Sequence, residues 1–257
     1  MKTGFHVDSL YASHVTPAAH PERPERIQRL LDVDVEGVER VDCERDATRA
    51  ELLLAHGEAH VDRVAATAGR SHTMLDPDTH TSPDSHGVAL RAVGAVLDVV
   101  DRVMAGSLDN GFVAARPPGH HAERDSAMGF CLYSNVAVAA RYLVREHGLQ
   151  RVLVVDYDVH HGNGTDQIFR GHQQVMLFSL FEQGLYPLDS GKKTEGDGHY
   201  IAMPGGSGGA EMRQAVEEQW IPALDEFRPE LVLVSAGFDA HLQDEISDLH
   251  FSDADFQ

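Results

Sequence analysis

Short apolar, β-branched runs alternate with longer helical patterns along this chain, and this alternation is the strongest constraint on its fold. The runs cover residues 111–115, 151–156, 175–180 and 231–236, and the helical patterns cover residues 88–105, 135–147 and 212–227. Strand–helix alternation of this kind predicts a parallel sheet covered on both faces by helices. The unbroken run Val152-Leu153-Val154-Val155 is typical of a strand buried on both sides. We therefore predict an α/β fold with three layers, αβα, around a central and mostly parallel sheet.

Each of the four predicted strands leads into a polar or glycine-rich turn. The turns are Arg116-Pro117-Pro118-Gly119-His120-His121 after the first strand, Asp156-Tyr157-Asp158-Val159-His160-His161-Gly162-Asn163-Gly164 after the second, residues 181–186 after Ser179 and Leu180 of the third, and Gly237-Phe238-Asp239 after the fourth. Ligands of open α/β sheets bind beyond the carboxyl ends of the strands. We expect the functional site there.

Two carboxylates and one imidazole in these turns form a candidate metal site. Asp158 and His160 are two residues apart in an extended segment, so their side chains point the same way. Asp239 follows another strand and can meet them across the sheet. Three such ligands with one open position suit a catalytic zinc ion, and oxygen-rich ligation also admits Fe²⁺ or Mn²⁺. The alternative is a set of satisfied polar groups at strand ends, and the spacing alone does not decide between the two.

Adjacent histidines after a Pro-Pro-Gly turn form a second candidate element. His120 and His121 follow a stiff backbone that allows a close approach. Beside a metal, two imidazoles can act as general base and general acid toward water. Asp156 and Asn163 flank the metal-ligand segment and are available to orient them.

Composition limits the class of protein. A length of 257 residues suits one large α/β domain or two small ones, and neither a repeat nor a low-complexity linker is visible. The net charge is −20, which disfavours direct nucleic-acid binding and leaves two interpretations, solubility in a salt-rich cytoplasm or attraction of cationic substrates. The sequence lacks an apolar stretch long enough for a membrane span and an apolar secretory signal after Met1, so we expect a cytoplasmic protein without a membrane partner.

Together these blocks resemble the signature motifs of the histone deacetylase and acetylpolyamine amidohydrolase family, in family order. The blocks are Arg116 to His121, Gly129-Phe130-Cys131 with Asn135, Asp156 to Gly164, and Gly237-Phe238-Asp239, preceded by His20-Pro21-Glu22-Arg23-Pro24-Glu25-Arg26, which resembles the family's opening segment. The resemblance implies an arginase/deacetylase-like fold and zinc held by Asp158, His160 and Asp239.

The resemblance also implies roles for the residues around the metal. His121 would be the principal base toward water, or both base and acid, and His120 would assist it electrostatically while paired with Asp156. Asn163 would partner His121, and an Asn at this place is similar to the class II pattern. Backbone carbonyls of Asp156, Asp158, His160 and Leu180, with Ser179, would bind a structural K⁺ ion.

Four further residues would contact the substrate. The resemblance implies that Gly129, Phe130 and Tyr186 wall a narrow tunnel, and ordinary packing beside a turn is the alternative for each. Asp78 lies where the family carries a rim carboxylate that binds the substrate backbone, although an Asp in Asp76-Pro77-Asp78-Thr79 is equally natural as a turn cap.

The implied function is zinc-dependent hydrolysis of an N-acetyl amide, either acetyl-lysine in proteins or an acetylated polyamine, by a protein that could form homo-oligomers. The family also uses a tyrosine several tens of residues after the last metal ligand, and none lies between Asp239 and Gln257. We therefore expect a single deacetylase domain over residues 1–257, truncated before its final strand and catalytic tyrosine; a natural short form is the alternative.

Two other functions stay open. A metal-containing scaffold that binds acyl ligands or partners without hydrolysing them would need no tyrosine. A ureohydrolase related to arginase is disfavoured, because Gly162 and His241 stand where that family needs further Asp ligands.

Two histidines outside these blocks, His56 and His60, are four residues apart on a predicted helix. They could bind a metal on one helix face, but we expect both to be solvated.

Overall fold

A computed structural model describes residues 1–18, 20–188 and 198–257. The chain divides into two compact units, Met1–His147 and Gly148–Gln257. The expectation of a single domain over residues 1–257 stays a prediction. Among the described residues, no helix combines the length and the apolar character needed to cross a membrane.

The first unit contains a three-stranded parallel sheet and an antiparallel hairpin. In the sheet the order is β2 (Val38–Arg40), β1 (Thr3–His6), β5 (Asn110–Val113). The hairpin joins β3 (Thr73–Asp76) to β4 (Thr79–Thr81). The described helices are α1 (Glu25–Leu31), α2 (Arg49–Leu52), α3 (Glu58–Ala65), α4 (Ser85–Met104) and α5 (Asn135–Glu146).

Helix α4 forms much of the core of this unit. Its buried side chains are mostly small, and Leu97 is fully buried, which contributes roughly 1.5–3 kcal/mol to folding. A Cβ atom on Gly94 would stand 2.1 Å from the carbonyl oxygen of Arg45, so only glycine lets that segment lie directly on the helix. Helix α5 packs against α4 and is likewise rich in buried alanine and valine.

The second unit is built on a four-stranded parallel sheet. Its order is β8 (His199–Met203), β7 (Val175–Glu182), β6 (Val152–Asp156), β9 (Leu231–Ser235). The described helices are α6 (Asn163–Phe169), α7 (Gly209–Ala215) and α8 (Ile221–Phe227), with a π-helical turn, Val216–Trp220, between the last two. The predicted runs 151–156, 175–180 and 231–236 therefore form neighbouring strands, and run 111–115 forms β5 of the first unit.

Burial follows the position of each strand in this second sheet. Central β6 has Val152 and Val154 fully buried, as its unbroken apolar run predicts. Behind the sheet, the ring of Phe178 stacks on Trp220 with centroids 5.2 Å apart. Strand β9 is at an edge of the described sheet, and its Val232 is 47% exposed. The segments that carry the candidate metal ligands follow the carboxyl ends of β6 and β9.

Candidate metal centre and active site

The second unit brings Asp158, His160 and Asp239 together. Strands β6 and β9 are neighbours in register, so the segments that leave them start side by side. One ligand atom from each residue lies within 4.8 Å of the other two. His160 Nδ1 is 2.8 Å from Asp158 Oδ1 and 3.0 Å from Asp239 Oδ2. The predicted grouping of these three residues is therefore present in the structure.

Backbone groups orient the two carboxylates. The N–H of His160 donates to Asp158 Oδ1 at 2.8 Å, and the N–H of Val159 donates to Asp239 Oδ1 at 2.9 Å. A Cβ atom on Gly237 would stand 2.2 Å from Asp158 Oδ2, so a side chain there would displace that carboxylate. The sequence pattern alone assigns Gly237 no separate role; the available signal is a glycine close after a strand and two residues before a candidate ligand.

The electrostatics of this cluster suit a cation. Burial lowers the pKa of His160, but hydrogen bonds and charge from Asp158 and Asp239 outweigh burial and raise that pKa to about 10. Burial and the charge of Asp158 raise the pKa of Asp239. The two carboxylates thus favour the protonated, positively charged form of the His160 imidazole, and a divalent ion would supply the same positive charge. Two carboxylates and an imidazole fit Zn²⁺, Fe²⁺ or Mn²⁺, and no other group of three such ligands occurs in the described part of the chain.

Residues predicted to bind K⁺ or to orient the histidines lie around this cluster. Asp156 is fully buried at the end of β6, where its Oδ1 accepts the N–H of Asp158 at 3.2 Å. Ser179 is its register partner on β7, followed by buried Leu180. Asn163 is the first residue of α6. The structure thus places these four residues in the second unit, beside the candidate ligands or at the start of the next helix.

His161 is a further candidate for supporting the metal segment, although the sequence pattern assigns it no role. It is buried, with Nδ1 3.1 Å from Ser179 Oγ and Nε2 3.9 Å from Asp166. Its position directly after His160 was the available signal. These contacts tie the candidate metal segment to β7 and α6.

Tyr186 lies near the candidate ligands. Its ring centroid is 6.3 Å from that of His160, with the two rings arranged edge to face. This placement suits the predicted wall position, and its role toward a substrate stays a prediction.

The first unit holds the histidine pair. His120 and His121 are both buried, with ring centroids 4.0 Å apart. A Cβ atom on Gly119 would stand 2.6 Å from the backbone nitrogen of Asn135, so the turn lies directly on the start of α5. The Asn135 side chain donates to the carbonyl of Pro117 at 3.3 Å. A close, well-supported turn therefore presents the two imidazoles, as the Pro-Pro-Gly sequence predicts.

Gly129 and Phe130 form a second turn of the first unit. Both have a positive φ, 56° and 68°, which is unusual for phenylalanine. A Cβ atom on Gly129 would stand 2.2 Å from His121 Cδ2, so the Gly129 backbone lies against that imidazole. The ring of Phe130 packs edge to face on His20, with centroids 4.5 Å apart. Gly129 therefore has a positioning contact beyond the predicted wall role.

Asp78 supports this turn. Its Oδ1 accepts the N–H of Gly129 at 3.1 Å and the hydroxyl of Thr79 at 2.9 Å, while Thr79 Oγ1 accepts the N–H of Phe130 at 3.1 Å. The structural role expected for Asp78 is thus observed. Its carboxylate supports its own turn through Thr79 and also the Gly129 turn, 51 residues further along the chain. A role in binding a substrate backbone stays a prediction.

Comparison with known proteins identifies the family. The histone deacetylase domain model matches residues 20–257. The chain belongs to the histone deacetylase family. It is 41% identical over 229 residues to Histone deacetylase 14, chloroplastic, of Arabidopsis thaliana, covering 82% of this chain and 54% of the relative. It is 35% identical over 252 residues to the Histone deacetylase-like amidohydrolase of Pseudomonas aeruginosa, covering 93% and 66%. The chain thus spans about half to two thirds of the length of these relatives.

A solved structure of this histone deacetylase family supports the predicted fold class. The crystal structure of the HDA15 HD domain matches with a TM-score of 0.90 and 32% identity, covering 99% of this chain and 78% of that one. The predicted α/β architecture and the family resemblance are therefore confirmed. The names of the relatives are those of deacetylases and an amidohydrolase, which are hydrolases of amide bonds.

The expectation that His56 and His60 are solvated is wrong. Both side chains are buried, at 1% and 0% exposure. His56 donates through Nδ1 to the Glu123 carbonyl at 3.0 Å and accepts the N–H of Ser134 at 2.9 Å, and His60 Nε2 lies 2.9 Å from the Leu132 carbonyl. The physical reason is that the Glu123 and Leu132 carbonyls and the Ser134 N–H face these rings and need hydrogen-bond partners, which the imidazoles supply.

Proposed function

We propose that this chain performs metal-dependent hydrolysis of an N-acetyl amide, giving a free amine and acetate. One observation carries the proposal: the ligand atoms of Asp158, His160 and Asp239 converge within 4.8 Å in a member of the histone deacetylase family. The ligand set leaves at least one coordination position for water and substrate, as catalytic sites require.

Asp158, His160 and Asp239 would hold the metal, with zinc the foremost candidate and Fe²⁺ or Mn²⁺ as alternatives. A bound divalent ion would polarise the acetyl carbonyl and make water more acidic. The hydrogen bonds from the backbone N–H groups of Val159 and His160 keep both carboxylates aimed inward before the ion arrives. Gly237 leaves the room that Asp158 needs.

The histidine pair would move the protons. In the proposed reaction His121 takes a proton from water as the water oxygen attacks the acetyl carbon. A histidine of the pair then gives a proton to the amine nitrogen as the C–N bond breaks, so water is divided between acetate and amine. The Gly129 backbone against His121 supports this role, because it restricts the orientation of the ring. We assign Asp156 to orient His120 and Asn163 to orient His121.

The substrate would be an acetylated cation, either acetyl-lysine in a protein or an acetylated polyamine. Gly129, Phe130 and Tyr186 would wall the tunnel for its methylene stem, with Asp78 at the rim. The net charge of −20 supports this substrate class, because the amine product is cationic and an acidic surface attracts cations.

A structural K⁺ ion would be bound beside Asp156, Asp158, His160, Ser179 and Leu180. Support comes from the parallel register of β6 and β7, which sets Asp156 beside Ser179, and from the full burial of both side chains. A buried carboxylate is costly unless positive charge or hydrogen bonds compensate it, and a monovalent cation would contribute to that compensation.

We further propose that the protein is cytoplasmic, acts without direct nucleic-acid contact and can form homo-oligomers. Cell fractionation tests the location, DNA-binding assays test the nucleic-acid contact, and sedimentation tests the oligomeric state.

The test is release of acetate from an acetyl-lysine peptide and from acetylputrescine, measured with the zinc-loaded chain. Hydrolysis of either substrate that is lost in His121→Ala, with metal still bound, supports the proposal and identifies the substrate body. Metal binding by a folded chain that releases acetate from neither substrate would contradict it and favour a scaffold that binds acyl ligands without hydrolysing them.

A further inference from the structure

A pair of histidines on the β3–β4 hairpin lies outside the site described above. His72 precedes β3, and His80 is in β4. His72 Nε2 lies 3.0 Å from His80 Nδ1, and the rings stack with centroids 5.1 Å apart. His72 is exposed and His80 is half-buried, so the pair is open to solvent.

The separation of these nitrogens matches the spacing of two ligands on one metal ion. Two imidazole nitrogens, each bound at about 2.0–2.1 Å, lie roughly 2.9–3.4 Å apart when the ligand–metal–ligand angle is about 90–110°. The observed 3.0 Å falls in this range. A bound ion would also replace a lone hydrogen bond between imidazoles with two coordinate bonds.

Strand register adds a third donor on the same face. Met74 is the direct register partner of His80, and His72 lies two residues before Met74. Residues directly opposite on paired strands share a face, and the ring contact between His72 and His80 places His72 on that same side. Met74 is 59% exposed, so its thioether is accessible to a ligand. The face thus carries two imidazoles and one sulfur.

His80 is suited to act as a neutral ligand. Burial first, and then the neighbouring His72 and His20, lower the pKa of His80. His20 itself is engaged: its Nε2 donates to the Asp78 carbonyl at 2.9 Å, and its Nδ1 accepts the N–H of Glu22 at 3.2 Å. The donor set of the hairpin is therefore His72, His80 and Met74, with His20 packed behind it.

We propose that His72 and His80, with Met74 beside them, form a second metal site for a late first-row transition ion, foremost copper. Imidazole suits Cu, Zn and Ni, and the affinity of such sites is greatest for Cu²⁺ along the divalent series. A thioether adds preference for copper, particularly Cu⁺. Because the hairpin also carries Asp78 and Thr79, which hold the Gly129–Phe130 turn, an ion there would stabilise the hairpin that supports this turn.

The experiment is a Cu²⁺ titration of the full chain in an Asp239→Asn background, which weakens the candidate ligand set described above, followed by electron paramagnetic resonance. We compare His72→Asn and His80→Asn with His250→Asn, which removes an exposed histidine elsewhere. The expected result is one copper ion per chain, with hyperfine coupling to two nitrogens and a rise in melting temperature. Both signals should be lost in His72→Asn and in His80→Asn and kept in His250→Asn.

Unchanged copper binding in both hairpin variants would overturn the proposal, and so would a copper signal without coupling to imidazole nitrogen. Circular dichroism of each variant separates loss of the site from loss of the fold. Since acetate release is not the readout, failure of this proposal leaves the proposed hydrolase activity untouched.

Discussion

The backbone of Gly129 lies against the imidazole of His121, so that a Cβ atom on Gly129 would stand 2.2 Å from His121 Cδ2. The Gly129–Phe130 turn, as well as the Pro-Pro-Gly segment, thus restricts the orientation of His121, the proposed base. Two hydrogen bonds, from Asp78 and Thr79, and the ring contact with His20 hold that turn, and a third hydrogen bond joins Thr79 to Asp78.

Gly129→Ala should therefore impair both activity and stability. The substitution adds a methyl group where His121 stands, in addition to the cost of about 1–2 kcal/mol for a left-handed alanine. Displacing a catalytic group by about 1 Å costs on the order of 10²-fold in rate. The matched control is Gly148→Ala, at φ 73° with no atom within 4 Å of the new Cβ. Equal loss of acetate release in both variants would contradict the contact.

Asp78 offers a test of its two roles. If it acts through the Gly129 N–H, Asp78→Asn keeps an acceptor oxygen and should retain most activity, whereas Asp78→Ala should lose about 1–2 kcal/mol of stability and lower kcat. If its charge binds substrate directly, Asp78→Asn should raise KM as much as Asp78→Ala does. We expect Asp78→Asn to keep most of kcat and Asp78→Ala to lower it, as the role through the Gly129 N–H requires. Steady-state kinetics on both variants distinguish this role from direct substrate binding.

Asp239 should be essential for metal affinity. Asp239→Asn removes one of three ligands and should weaken metal binding by more than the roughly 10–100-fold typical of changes that only orient a ligand. Asp225→Asn, at an exposed position of α8, removes the same charge and is the control. Competition with a zinc-sensitive dye gives both affinities. Similar affinities in the two variants would rule Asp239 out as a ligand.

His56 should make the fold acid-sensitive. Burial first, and then His60, lower its pKa to about 3, against about 6.5 in the unfolded chain. The folded state holds the neutral form, so this stability is fully present above about pH 6.5 and is lost as the pH falls toward 3. Between pH 7.5 and 5 the loss from this group is about 2 kcal/mol.

Urea unfolding at pH 7.5 and pH 5 measures this loss. His56→Gln should show a smaller decrease in the free energy of unfolding between the two pH values, while His250→Asn should match the unsubstituted chain. An identical decrease in His56→Gln would show that other groups cause the acid sensitivity.

Much of the fold and of the metal cluster could be predicted from local patterns. The apolar run 152–155 predicts a buried strand, and the spacing of Asp158 and His160 places two candidate ligands on one side of the segment that follows this strand. Asp239 joins them because β9 pairs with β6. A short-range sequence pattern and one strand pairing are therefore enough to bring the three candidate ligands together.

Contacts between segments that are far apart in the sequence could not be predicted from local patterns. Nothing in the helical pattern around His56 and His60 indicates that the backbone of residues 123–134 needs their imidazoles as partners. The Asp78–Gly129 hydrogen bond likewise joins residues 51 positions apart. The His72–His80 pair depends on hairpin register, which a short strand without a strong apolar alternation does not reveal.

The most direct test of the proposed metal-dependent hydrolysis is acetate release by the chain stripped of metal and then reloaded with zinc. Activity on an acetylated amine should disappear on stripping, return with one equivalent of zinc, and fail to return in Asp239→Asn. Activity that survives complete removal of the metal, or that returns equally in Asp239→Asn, would contradict a metal-dependent hydrolase built on Asp158, His160 and Asp239.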